Sequence, residues 1–186
     1  MNIVLKPCET EQLIKKSRFI GLLHPCTSET EALELLKQLH MQHPNATHIV
    51  YAYRIQAAEG LICRFHDAGE PGGTAGKPMF AHLEGRQLQN ALAVAIRYFG
   101  GVKLGAGGLT RAYGNLAKEL LTAAEITAYI AYSELQITLD YPRLQALEYQ
   151  LNKLDGSILE HTFTEKVQLR IKIPEKNLQY LTEFLA

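Results

Sequence analysis

The 186-residue chain is poor in the residues that mark several large classes of protein. Cysteine occurs three times, at Cys8, Cys26 and Cys63, with no CxxC pair. That spacing excludes a zinc knuckle or a dithiol redox motif and reads as reduced thiols in a cytoplasmic protein. Serine occurs four times, at Ser17, Ser28, Ser133 and Ser157, and none stands in a GxSxG elbow, so a serine hydrolase of that type is unsupported. Net charge is lacking as well: 19 basic residues balance 19 acidic ones. No overall field draws the chain to nucleic acid or a membrane, and any basic patch has to be local. No apolar run approaches the roughly 20 residues that span a bilayer, and nothing after Met1 has the order of a signal peptide, so no membrane partner is expected.

The hydrophobic content, 47%, is ordinary for a chain that buries a core, and the length suits one large domain or two small ones. Ser17 to Cys26 reads as a strand. Ser28 with Glu31 has the capping-box spacing, and Leu33, Leu36 and Leu39 recur with helical period until Pro44 and Asn45 end the run. Ile49, Tyr51, Tyr53 and Ile55 alternate on a strand, and Leu61 to Phe65 repeats the alternation after Glu59-Gly60, predicting a hairpin. From Ala91 to Phe99 the larger residues Leu92, Val94, Ile96 and Tyr98 oppose a face of alanines, which admits a closely packed helix. After Gly108, Leu109, Ala112, Tyr113, Leu116, Leu120 and Leu121 form a helical stripe.

The pattern lapses between Ala124 and Ala131, which places a domain boundary there, with residues 1–128 on one side and 129–186 on the other. The remainder reads as βαββα. Leu135, Ile137 and Leu139 lie on a strand, and Leu144, Leu147, Leu151 and Leu154 on a helix begun by Pro142. Asp155-Gly156 turns the chain into a hairpin of Ser157 to Phe163 with Val167 to Ile173, and Leu178, Leu181 and Phe184 start a last helix. This is a split βαβ plait lacking its final strand.

Twelve of the 14 glycines fall between Gly60 and Gly114. Arg64 to Lys118 also carries seven basic against three acidic residues. Two loops concentrate both features, Asp67 to Pro78 (DAGEPGGTAGKP) and Arg97 to Gly114 (RYFGGVKLGAGGLTRAYG), and each leads into a predicted helix. Glycine lets backbone amides approach a ligand, and a helix start aims free N–H groups at an anion, with Lys77, Lys103 and Arg111 as counter-charge. The competing reading is a pair of tight turns with solvated charges.

Sharper motifs fail. A P-loop would need glycine where Pro71 stands and Ser or Thr where Pro78 follows Lys77. The dinucleotide fingerprint would need a third glycine where Thr110 follows Gly105 and Gly107. His40 and His43 share a helix face and His66 adjoins Asp67, but no HExxH or comparable ligand set appears, so neither metal nor cofactor is expected. Asp67 and Glu70 fit acid–base or carboxylate–metal roles on residue type, and equally fit pairing with arginines of neighbouring strands.

The order DxGEPxGTAGKP followed by RYFGGxxLGxGGLxRAYG resembles the IMPACT family, in its bacterial YigZ-like branch. IKKSRFIG from Ile14 to Gly21 and HPNATH around Pro44 extend the likeness over nearly the whole chain. The resemblance implies an α+β protein of two domains. The N-terminal one is ribosomal protein S5 domain 2-like. The C-terminal one is ferredoxin-like and apparently lacks its last strand, since relatives usually continue for about another strand. It also implies a link to translation, because eukaryotic relatives regulate a stress-response kinase pathway controlling initiation and bacterial ones are suspected of binding nucleic acid or the ribosome.

Three functions are therefore expected to compete. The first is a non-enzymatic, translation-related regulator that binds RNA or the ribosome through Arg64, Asp67, Glu70, Gly73, Thr74, Gly76, Lys77, Arg97, Gly100, Gly101, Lys103, Gly105, Gly107, Gly108 and Arg111. The second is an enzyme or binder of a small phosphorylated or anionic ligand, with Asp67, Glu70 and Arg97 converging between the two loops. The third is a module whose mildly acidic C-terminal domain takes a protein partner at its sheet edge.

Overall fold

The computed structural model describes residues 1–185 and divides into two compact units, Met1–Tyr129 and Ile130–Ala186. The first unit contains β1 (Asn2–Val4), β2 (Cys8–Ile14), β3 (Ser17–Pro25), α1 (Glu29–Gln42), β4 (His48–Ala57), β5 (Gly60–His66), α2 (Gly76–Gly85), β6 (Ala91–Tyr98), α3 (Ala106–Ala123) and β7 (Ile126–Ala128). Five of these strands form one antiparallel sheet in the order β2-β3-β6-β4-β5.

The alternation of β6 decides what covers each face. Leu92, Val94 and Ile96 join Ile20, Ile49, Tyr53 and Ile55 under Ala32, Leu36 and Leu39 of α1. On the other face Ala91, Ala93 and Ala95 carry no bulk, and α2 and α3 pack there through Met79, Leu83, Leu109, Tyr113, Leu116 and Leu120. Leu33, expected on the apolar stripe of α1, is instead 58% exposed. The stripe runs through Ala32, Leu36 and Leu39, spaced i, i+4, i+7. The capping expectation holds: Glu31 N–H donates to Ser28 Oγ at 3.2 Å, and the Glu31 carboxylate reaches back to Thr27 N–H at 2.8 Å.

Two further differences from the sequence reading concern short or glycine-rich pieces. The patternless stretch near Ile126 is a strand, β7, paired antiparallel with β1 at the other end of the unit. Three residues are too few to show a period, and the partner lies more than 120 residues away. Helix α3 starts at Ala106, a turn earlier than its apolar stripe suggests, so Gly107 and Gly108 are helical.

The second unit contains β8 (Tyr132–Leu139), a short 3-10 turn at Tyr141–Arg143, α4 (Leu144–Lys153), β9 (Ser157–Phe163), β10 (Val167–Pro174) and α5 (Leu178–Leu185). Its antiparallel sheet has the order β8-β10-β9, and Leu147, Leu151 and Leu181 close the helical side over Leu169, Ile171 and Ile173. This is the expected βαββα plait, and the outer edge of β8 has no strand partner among the described residues. The protein is thus α+β with two units, and no described helix is long and apolar enough to cross a membrane.

Candidate functional site

The first glycine-rich loop is organised from inside by Asp67. Its carboxylate accepts N–H bonds from Gly73 at 2.8 Å, Ala75 at 3.0 Å and Gly76 at 2.8 Å, which caps the start of α2 from outside the helix. Burial pushes the Asp67 carboxyl up, but the three backbone donors outweigh it and hold it below the ordinary carboxylate range. Three of the amides expected to face an anion here are therefore occupied by the chain's own carboxylate, and this loop is turned in on itself. Thr74 Oγ1 donates to the Pro71 carbonyl at 2.7 Å, Gly73 has φ +76°, and a Cβ on Gly76 would lie 2.8 Å from the His66 backbone nitrogen.

Asp67→Ala is expected to destabilise the protein by about 2 kcal/mol through loss of this cap. Because the folded carboxyl titrates lower than an unfolded one, the contribution is complete above the ordinary carboxylate range and fades as pH falls through the depressed folded value. Urea midpoints of the two proteins therefore converge in acid. A gap that stays constant down to low pH would contradict the cap.

Glu70 and Arg97 do meet, as a buried pair. Their residues are 8% and 4% exposed, and Arg97 Nη1 donates to Glu70 Oε1 at 2.5 Å. Tyr113 donates its hydroxyl to the same oxygen at 2.7 Å. Burial first, and then the Glu70 carboxylate, push that hydroxyl far above its ordinary value, so it remains a donor. Arg97 Nη2 donates to Ser17 Oγ at 3.3 Å, and its guanidinium lies 5.3 Å from the Phe19 ring centre and 5.5 Å from that of Phe99. The constellation expected for acid–base chemistry is thus split. Asp67 is spent on α2, and Glu70 and Arg97 neutralise each other out of reach of solvent.

Ser17 carries the network to a feature that residue-type reasoning passed over. Gly100 N–H donates to Ser17 Oγ at 3.2 Å, and Gly100 rests directly on the backbone of Lys16, where a Cβ would lie 2.0 Å from the carbonyl carbon. Lys15 and Lys16 form the two-residue turn between β2 and β3, with φ +46° and +67°. Hairpins of that length need positive φ at both positions and usually place Asn or Gly there. Two lysines held in that conformation cost about 1 kcal/mol each, and the packed Gly100 backbone keeps them there. The KK pair within IKKSRFIG was the available signal.

The second loop ends differently from the first. Gly105, φ +74°, is the N-cap of α3 and supplies no side chain, and the first main-chain bond of the helix is Leu109 N–H to the Gly105 carbonyl at 2.9 Å. The amides of Ala106, Gly107 and Gly108 consequently have no internal acceptor among the described residues. Beside this end runs a groove of about 260 Å3 whose lining includes Lys15, Leu104, Gly108, Arg111 and Asn115. Gly101 and Lys103 are exposed on the approach to it. Lys15, Lys16, Lys103 and Arg111 have no carboxylate within 4 Å among the described residues. Lys77 is likewise exposed and unpaired, at the start of α2. Arg64, expected with this set, pairs instead with Glu29 of α1 at 2.8 Å, and Tyr53 donates to the same carboxylate. Glu29 sits in the first turn of α1, so Arg64 is neutralised there.

Comparison with known proteins fits this arrangement. The Impact N-terminal domain matches residues 15–121, which include the dilysine turn, both glycine-rich loops and most of α3. A domain of unknown function (DUF1949) matches residues 137–186. The chain is 38% identical over 178 residues to the IMPACT family member YvyE of Bacillus subtilis, covering 96% of this chain and 82% of that one. It is 33% identical over 181 residues to the IMPACT family member YigZ of Escherichia coli, covering 97% and 89%. Among solved structures, the crystal structure of a hypothetical protein superposes with TM-score 0.71 at 33% identity, over 100% of this chain and 90% of that one. With the motif loops, the two-unit fold and these relatives in agreement, the chain belongs to the IMPACT family.

Proposed function

We propose that the protein is a translation-related regulator that binds RNA or the ribosome through the basic surface at the start of α3. The observation that carries this reading is the contrast between the two loops. Asp67 satisfies three amides of the first, whereas the second presents bare amides at Ala106, Gly107 and Gly108, with Lys15 and Arg111 lining the groove beside this end and Lys16 and Lys103 exposed and unpaired in the segments that lead to it. Phosphate oxygens are the ligands that such amides and cations take together. The link to translation is supported by the family to which the chain belongs.

Four phosphate-neutralising side chains on a single strand imply a salt exponent near −3, so affinity for single-stranded RNA falls about fiftyfold between 50 and 200 mM salt. The variant with alanine at Lys15, Lys16, Lys103 and Arg111 is expected to bind weakly and with a nearly flat salt dependence, measured by fluorescence anisotropy with a labelled oligoribonucleotide. Undetectable binding of the native protein to RNA and ribosomes at low salt, or an unchanged salt dependence in the variant, would overturn the reading.

A further inference from the structure

A hollow of about 470 Å3 opens in the first unit where β5 leaves β4. The two strands pair only as far as Tyr51 opposite His66, after which the chain turns away through Asp67 and Ala68, and the end of α1 closes the opposite side. The volume suits a small organic ligand. Four of the chain's seven histidines line it, His40, His43, His48 and His66, together with Tyr51 and Thr47, and no lysine, arginine or carboxylate does. The arrangement is not a metal centre, because no three His, Cys, Asp or Glu side chains among the described residues are placed to share an ion.

The hydrogen bonds fix what these rings offer. Nδ1 of His40 and of His48 each lie 2.8 Å from a main-chain carbonyl, of Leu36 and Ala68 respectively, so both must donate there; a neutral His40 ring then presents Nε2 as an acceptor, whereas Nε2 of His48 lies 3.8 Å from Glu70 Oε2. His66 is the reverse: its Nδ1 accepts the Ala68 N–H at 3.1 Å, so its Nε2 carries the proton. An acceptor on His40 and a donor on His66 are thus offered by flat groups around one cavity. Tyr53, Tyr51 and His66 also form a column of near-parallel rings, with centres 6.1 and 5.6 Å apart and planes 7° and 23° from parallel. Two rings of that column are in the lining. The chemistry fits an uncharged, planar heterocycle with donors and acceptors on its edge.

The hollow is joined to the basic surface through one short loop. His43 Nδ1 is 2.8 Å from the Tyr98 hydroxyl and Phe99 N–H donates to Thr47 Oγ1 at 2.9 Å, and the chain then passes through Gly100 and Gly101 to Lys103. We propose that this hollow takes one unstacked nucleobase of an RNA strand whose phosphates lie along the basic surface. The inference rests on the RNA-binding reading above and assigns the base-recognition site to it.

The test uses the full chain, a labelled RNA pentamer, the same pentamer with its bases removed, and the free nucleosides adenosine and cytidine. Stacking of one base on an aromatic ring sets the expected scale, so the abasic strand binds about tenfold more weakly. His66→Ala lowers pentamer affinity to the abasic level and leaves abasic binding unchanged, while His66→Phe, which keeps a flat ring, restores most of the difference. In 15N-resolved spectra of the imidazoles, nucleosides shift His66 and His40. Equal affinity for the two strands, with imidazoles unmoved by nucleosides, overturns the pocket and leaves the RNA reading standing. Nucleosides that shift the imidazoles of a protein that binds no pentamer would support the pocket as a site for free nucleosides and overturn the RNA reading beneath it.

Discussion

Glu70→Ala is expected to cost about 3 to 5 kcal/mol of stability, the largest loss of any single change to the two loops, because it leaves the Arg97 guanidinium buried without its counter-charge. The side chains of Arg97 and Glu70 are 5% and 3% exposed, so water cannot replace the lost carboxylate. Tyr113 and the Asp67–Pro78 loop lose their tether as well, since the same oxygen receives the tyrosine hydroxyl. Urea denaturation measures the loss. Replacing both partners by apolar residues, Glu70→Leu with Arg97→Met, removes the stranded charge and should cost less than Glu70→Ala alone. A single-variant loss below about 1 kcal/mol, in the range of exposed ion pairs, would show that the pair is solvated and would reopen the acid–base roles first expected of these residues.

Gly100→Ala should be nearly as costly, by about 3 kcal/mol, for a steric reason. The added carbon would lie 2.0 Å from both the carbonyl carbon and the oxygen of Lys16 and 2.5 Å from the Ser17 nitrogen. All three are backbone atoms, so no side chain can rotate aside. The dilysine turn has to move, taking the Gly100–Ser17 hydrogen bond with it, and RNA affinity should drop along with stability. Gly107→Ala is the control. It meets nothing within 4 Å and lies in a helical turn without positive φ, so thermal unfolding should find it neutral or slightly stabilised. Similar losses at both positions would mean that the packing of Gly100 on Lys16 is not what makes this glycine necessary.

Much of the architecture was legible from local pattern. The alternation of large residues and alanines along β6 foretold a sheet covered differently on its two faces, and the stripe from Leu109 to Leu121 foretold α3. The βαββα order of the second unit and the motif-borne family resemblance were equally plain. Where local signal was thin, the reading failed. The three residues of β7 are too short to show a period, and at the start of α3 the glycines that expose its amides also erase its helical signature.

For the candidate site, the sequence by itself determined where glycine and positive charge concentrate, because both are properties of a residue and its neighbours in the chain. Only the tertiary structure decided what each group is for. Asp67 closes its own loop, Glu70 and Arg97 extinguish each other's charge, and Arg64 is neutralised by Glu29. Lys15, about 90 residues before α3, stands beside its open end because Gly100 has no side chain to keep the dilysine turn away. Hydrogen-bond partners and counter-ions are chosen through space once the sheet has brought distant segments together, and no spacing along the chain records that choice.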